Sequence, residues 1–190
     1  RRGTHRLPAE ATTCSGTPAT RYGAGDMADN EPGPVLHGLV EPSRVLVADS
    51  AVDKWDAIRQ LVDLCVDAGG VAHEQRESAL NAVYDRERRA STGLGHGCAI
   101  PHGVWDAAPR EIGTLGFFPN GVDFQSTDGS PTHFVLMLLY PMTERDAHVQ
   151  NLANAARLLS SAEGERDTPP LEESEQVYDW LARQECERRL

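Results

Sequence analysis

Ser91-Thr92-Gly93-Leu94-Gly95-His96-Gly97-Cys98-Ala99-Ile100-Pro101-His102-Gly103 is the stretch on which the reading of the fold turns. Four glycines among these thirteen residues keep the backbone bare around His102. Cys98-Ala99-Ile100 is a short apolar run, which predicts a buried strand delivering the histidine at its end. Pro101 restricts φ and disfavours helix at Ile100, so the strand is expected to stop there. Gly103 is expected to turn the chain away without covering the imidazole. The arrangement suits a histidine that something large must reach.

Upstream, residues 1–34 show no periodicity and are rich in Thr, Gly, Pro, Ala and Arg, a composition read as a disordered tail. The first methionine is Met27, and one explanation takes the residues before it as a tag or an over-extended reading frame. A domain is expected over 35–190. Arg44-Val45-Leu46-Val47-Ala48 predicts a strand, and Asp49 to Asp53 offers helix caps. Trp55, Ile58, Leu61, Val62 and Cys65 recur at spacings of three and four, predicting an amphipathic helix closed by Gly69-Gly70. A second helix is expected from about Glu74 to Arg88, with Ala79, Leu80, Val83 and Tyr84 inward.

Downstream, Ile112 to Phe118 alternates as a strand. Asn120-Gly121 then signals a turn, with Val122 and Phe124 opening a return strand. Phe134-Val135-Leu136-Met137-Leu138-Leu139-Tyr140 is apolar on both faces, which predicts a central, fully covered strand ended by Pro141. Thr143-x-x-Asp146 resembles a capping box for a helix carrying Val149, Leu152, Ala156 and Leu159 inward, with His148 in its first turn. A polar loop over about 160–170, including Pro169-Pro170, leads to a last helix with Val177, Tyr178 and Leu181 on one face. Alternating helices and strands around a wholly apolar strand imply an α/β sandwich.

Composition narrows the function. The formal net charge of −11 over 190 residues argues against a nucleic-acid groove, which needs clustered Lys and Arg. Arg86-Glu87-Arg88-Arg89 is a local basic exception. No apolar run approaches the roughly 20 residues of a membrane span, so no membrane insertion is expected. Cys14, Cys65, Cys98 and Cys186 are scattered without a CxxC pair, which favours a reducing, cytoplasmic setting over a disulfide framework.

Three residues stand out as carriers of chemistry. A neutral His102 is available as a nucleophile near physiological pH. His148 follows the central strand at a helix start, where ligand sites of α/β sheets gather, and could bond an anion held near His102. Arg86 ends the helix that feeds the glycine stretch and could direct a guanidinium at a phosphoryl group. Each has a blander reading: a strand-end histidine, an exposed helix residue, and a solvated basic turn favoured by the helix dipole. Thr92 could add a hydroxyl donor, and the amides from Gly93 through Gly95 to Gly97 an anion-binding concavity. The stretch is not a P-loop, because it lacks the Gly-Lys-Ser/Thr ending. His96, Cys98, His102, His133 and His148 supply donors for zinc, but 96, 98 and 102 do not match the usual ligand spacings, so no metal is expected.

Taken together these motifs resemble the type-2 enzyme IIA domains of the bacterial phosphotransferase system, the fructose/mannitol/nitrogen-regulatory family. The resemblance rests on Arg86-Glu87, Ser91 to Gly95, Ala99-Ile100-Pro101-His102-Gly103, Val122-Asp123-Phe124, the strand ending at Pro141 and His148 after it. It implies a mixed, roughly five-stranded sheet flanked by helices. It also implies that His102 is phosphorylated, that His148 bonds the phosphoryl group and that Arg86 steadies it. The phosphate donor would be HPr or its nitrogen-branch homologue, the acceptor an enzyme IIB partner, and no cofactor is called for. His96 and Cys98 depart from the family's small polar and aliphatic residues. With no IIB or IIC segment in the sequence, the expectation is a free-standing domain that relays phosphate and regulates partners by its phosphorylation state. The alternatives are a sugar-transport component, for fructose or mannitol, and a docking module that accepts no phosphate.

Overall fold

In the computed structural model, described residues are 39–49, 51–162 and 172–187. The N-terminal segment 1–34 and the Pro169-Pro170 loop lie outside them. Among the described residues the order is β1 (Val40–Val47), α1 (Lys54–Asp67), α2 (Arg76–Arg89), β2 (Gly93–Gly95), β3 (Cys98–Ala99), β4 (His102–Val104), β5 (Ile112–Val122), β6 (Thr132–Tyr140), α3 (Arg145–Ala162) and α4 (Ser174–Glu187). The six strands form one mixed sheet, β1-β5-β6-β3-β2, with β4 also against β6. No helix among the described residues is long and apolar enough to cross a membrane.

β6 is the central strand, as its two-faced apolarity predicts. Val135, Met137 and Leu139 face a layer built by Ile58, Leu61 and Val62 of α1 and Ala79, Leu80 and Val83 of α2. The alternate residues Phe134, Leu136 and Leu138 face Leu159 of α3 and Val177, Trp180 and Leu181 of α4. Such burial contributes about 1.5–3 kcal/mol for each large side chain, so this one strand ties both helical layers to the sheet. α1 begins where Asp53 accepts from the Asp56 N–H, a side-chain N-cap.

Three expectations about local structure are corrected. β3 ends at Ala99, but Pro101 is no stop for the sheet pairing. β3 pairs Cys98 with Phe134 and β4 pairs His102 with Leu138, both parallel to β6 and in one unbroken register. The proline only interrupts the ladder: it offers no N–H, while its carbonyl still accepts from Leu138 N–H at 2.9 Å. Nor does Gly103 turn the chain away. It lies within β4, where an added Cβ would sit 2.6 Å from the carbonyl carbon of Ala82 in α2. Glycine is required there because a helix backbone rests directly on the strand. Gly103→Ala is therefore expected to push α2 outward and cost about 1–3 kcal/mol, read from the midpoint of urea unfolding. Finally, Asn120-Gly121 is not a hairpin turn. β5 runs on to Val122, and the pairing with β6 shifts between Phe117↔Phe134 and Val122↔Thr132, a bulge rather than a reversal.

One helix position is also reassigned. α3 is reached through a 3-10 turn, Met142–Glu144, and turns His148 inward, at 3% exposure, while Val149 is 59% exposed. The buried face runs through His148, Ala155, Leu158 and Leu159, with Leu152 and Ala156 packed against the same core as expected.

Candidate functional site

Alternation along β4 places His102 and Gly103 on opposite faces of the sheet. Gly103 meets α2, so His102 is carried on the face where α3 begins. His102 is 9% exposed, more covered than an open strand end suggests. Its Nδ1 lies 2.9 Å from the carbonyl oxygen of Ile100, two residues back. A carbonyl only accepts, so Nδ1 carries the proton and Nε2 keeps its lone pair. Arg86 Nε donates to that Nε2 at 3.1 Å, and Arg86 Nη1 donates to the carbonyl of Ala90 at 2.9 Å. The His102 and His148 rings lie 5.2 Å apart, centroid to centroid, with their planes tilted by 47°. The structure thus brings Arg86, His102 and His148 into one cluster.

Burial pushes the His102 pKa below its ordinary value of 6.5, and the charges of Arg86 and His148 add to the shift. The Ile100 carbonyl and Glu87 oppose it without reversing it. A histidine so placed is neutral and nucleophilic at pH 7, and a guanidinium beside it is ready to meet an anion.

Thr92, Gly93 and Gly95 have other engagements. The Thr92 hydroxyl donates to Glu87 Oε2 at 2.6 Å and its N–H to the same oxygen at 3.0 Å, so it is tied inward rather than held out to His102. Gly93 N–H donates to Ser91 Oγ. Gly95, His96 and Gly97 all have positive φ, 80°, 53° and 70°, the left-handed backbone that reverses β2 into β3. Together they form the β2–β3 hairpin. His96 sits exposed at its tip, with its N–H on Asp128 Oδ2. Cys98 Sγ donates to the Leu159 carbonyl, and His133 Nδ1 lies 3.0 Å from the Phe118 carbonyl. Among the described residues no group of three or more His, Cys, Asp or Glu converges as a metal-binding set.

Two carboxylates have partners that sequence reasoning did not assign. Glu87 is 2% exposed and joins the end of α2 to Lys54 Nζ at 3.0 Å and to Thr92. Glu111, 5% exposed just before β5, is bonded through Oε1 to His148 Nδ1 and through Oε2 to Asn151 Nδ2. Tyr140 stacks on the His148 ring at 3.6 Å. The available signals were faint: Glu87 occupies an inward helical position after Val83, and Glu111 is a charge at the mouth of an apolar strand.

Comparison with known proteins adds an independent line. The family described as "Phosphoenolpyruvate-dependent sugar phosphotransferase system, EIIA 2" matches residues 39–184. The chain is 35% identical over 129 residues to the PTS system fructose-specific EIIA component of Haloferax volcanii, covering 68% of this chain and 82% of that protein. It is 28% identical over 144 residues to a nitrogen regulatory protein of Bradyrhizobium diazoefficiens, covering 76% and 92%. The crystal structure of the nitrogen regulatory protein IIA-Ntr from Neisseria meningitidis superposes with a TM-score of 0.63 at 25% identity, covering 76% of this chain and 97% of that one.

Proposed function

Because the chain belongs to the EIIA 2 family of the phosphoenolpyruvate-dependent sugar phosphotransferase system, a family of phosphotransfer components, we propose that His102 Nε2 is the atom that takes up the phosphoryl group. The observation that carries this reading is the Ile100 carbonyl, which holds the proton on Nδ1 and leaves the Nε2 lone pair beside Arg86.

The step is a displacement between two imidazoles. The His102 Nε2 lone pair forms the new P–N bond while the P–N bond of the donor phosphohistidine breaks, its electron pair returning to the donor ring. The Nδ1 proton stays on His102, and the positive charge that develops on the ring is spread towards the Ile100 carbonyl. Arg86 gives up Nε2 and turns its guanidinium to the phosphoryl oxygens. Positioning and charge complementarity are most of what such a transfer asks of a protein. His148 supplies the second donor to those oxygens. Thr92, Gly93 and Gly95 shape the turn and hairpin that hold the acceptor strand.

HPr or its nitrogen-branch homologue is the donor of this proposal. An enzyme IIB, or a target regulated by the phosphorylated form, lies downstream. The relatives carry both kinds of name, one fructose-specific and one nitrogen-regulatory. Incubation with each phosphorylated carrier is expected to leave acid-labile, base-stable phosphate on this chain. Because burial holds the His102 pKa below its ordinary 6.5, the neutral nucleophile persists further into acid than a free imidazole would, and the half-point of uptake on acidification should fall below the ordinary histidine value. Absence of label with both carriers, on folded protein, would overturn the relay in favour of a docking module.

A further inference from the structure

Glu111 is buried, charged and bonded to one of the two clustered imidazoles, yet the transfer step above leaves it without a part. Both of its carboxylate oxygens are committed to α3. Oε1 meets His148 Nδ1, and Oε2 accepts from Asn151 Nδ2 at 2.6 Å, three residues further along the helix. Its own N–H donates to Glu144 Oε2 at 2.9 Å, in the turn that precedes α3. A carboxylate out of water needs N–H donors, and here it has two on one helix face.

Since an ionised carboxylate only accepts, the proton of the bonded ring nitrogen belongs on His148 Nδ1. Nε2 is then the nitrogen left for another group. Tyr140 lies flat against the ring, 7° from parallel, which restrains it from turning over. The other groups facing His148 are Tyr140 from β6 and His102 from β4, with Arg86 behind His102. Among the described residues Glu111 is the carboxylate bonded to His148. The pattern of carboxylate, imidazole and reacting group is the one by which a buried acid orients an imidazole and stabilises the imidazolium that forms.

We propose that Glu111 is a positioning residue for phosphoryl transfer. It holds one His148 proton on Nδ1 and, as the buried counter-charge of the ring, lets a second proton, taken from water, sit on Nε2 and be donated to the phosphoryl oxygens on His102. The inference rests on the reading of His102 as phosphoryl acceptor.

The test uses the whole chain with nitrogen-15-labelled histidine, in wild type and in Glu111→Gln. In the unphosphorylated wild type, ring nitrogen shifts should report His148 as protonated at Nδ1. The glutamine amide can either accept from or donate to Nδ1, so in Glu111→Gln the two ring nitrogens should move towards a tautomer mixture. Phosphoryl uptake from phosphorylated HPr should slow about 10- to 100-fold, the scale of losing the partner that orients a functional histidine. A wild-type His148 without the Nδ1 proton overturns the proposal and requires no variant to fold. So does a labelled wild type whose Glu111→Gln variant keeps both its tautomer and its rate. A wild type that takes no label from either carrier instead removes the reading of His102 on which the proposal rests, whatever tautomer is observed.

Discussion

His102→Ala is expected to take up no phosphoryl group from a phosphorylated carrier that labels the wild type fully. The loss should be complete rather than partial, because no other imidazole nearby can stand in. His148 is 3% exposed, its Nδ1 is bonded to Glu111 and its ring is covered by Tyr140, so a partner's phosphohistidine cannot reach it in line. His133 has its Nδ1 on the Phe118 carbonyl. His96 is exposed, but it stands on the hairpin tip beside Asp128, a carboxylate whose pKa is held at about 2, its neighbours' N–H groups and the Ser130 hydroxyl favouring the charged form. A fixed negative charge there repels an incoming dianion. The structural cost of the substitution is small: Ile100 loses one hydrogen bond, about 1 kcal/mol, and Arg86 keeps its bond to Ala90. A folded His102→Ala that still accepts label would move the acceptor elsewhere. A variant that loses label yet still binds the unphosphorylated carrier would confirm that docking and chemistry are separable.

Much of this architecture could be read from the chain alone because it is written in local periodicity. The inward faces of α1 and α2 and the double-sided apolarity of β6 need only neighbouring residues to be seen, and the structure follows them. The features that were misread depend on distant partners. Pro101 looks like a stop until β6 is placed beside it, because the register that carries the pairing through is supplied by Leu138. Asn120-Gly121 resembles a hairpin turn, but β5 stays paired across it with Thr132. In α3, Val149 has the apolar side chain and His148 the polar one, so hydrophobicity alone chooses the wrong residue to bury. What reverses the choice is Glu111, 37 residues away, which gives the imidazole a buried partner. The cluster of Arg86, His102 and His148 was legible because each sits at the end or start of an element that the pattern marks. The buried carboxylates Glu87 and Glu111 beside it were not, since their partners lie on other elements.

Glu87→Ala should be the most destabilising single change in the region of the site, at about 3–5 kcal/mol, the usual cost of breaking a buried ion pair by removing one partner. Three groups depend on this carboxylate, whose side chain is 0% exposed. Lys54 Nζ, itself on a side chain only 9% exposed, would retain Gln125 Oε1 at 2.9 Å as a neutral partner, too little for a buried ammonium. The Thr92 N–H and hydroxyl would both lose their acceptor in a site closed to water. Because Glu87 adjoins Arg86, and Arg86 also holds the Ala90 carbonyl, loosening Thr92 should loosen the guanidinium next to His102 and slow phosphoryl uptake as well. Removing the charge on both sides separates these effects. In Lys54→Met with Glu87→Leu no buried charge is left alone, so most of the lost stability should return in urea unfolding. Thr92 would still lack its acceptor, and uptake should stay slow. If the double variant recovers stability and full uptake together, the carboxylate matters to this site only as a counter-charge. If Glu87→Ala costs less than about 1 kcal/mol, the buried pair is not what holds α1, α2 and the glycine turn in register.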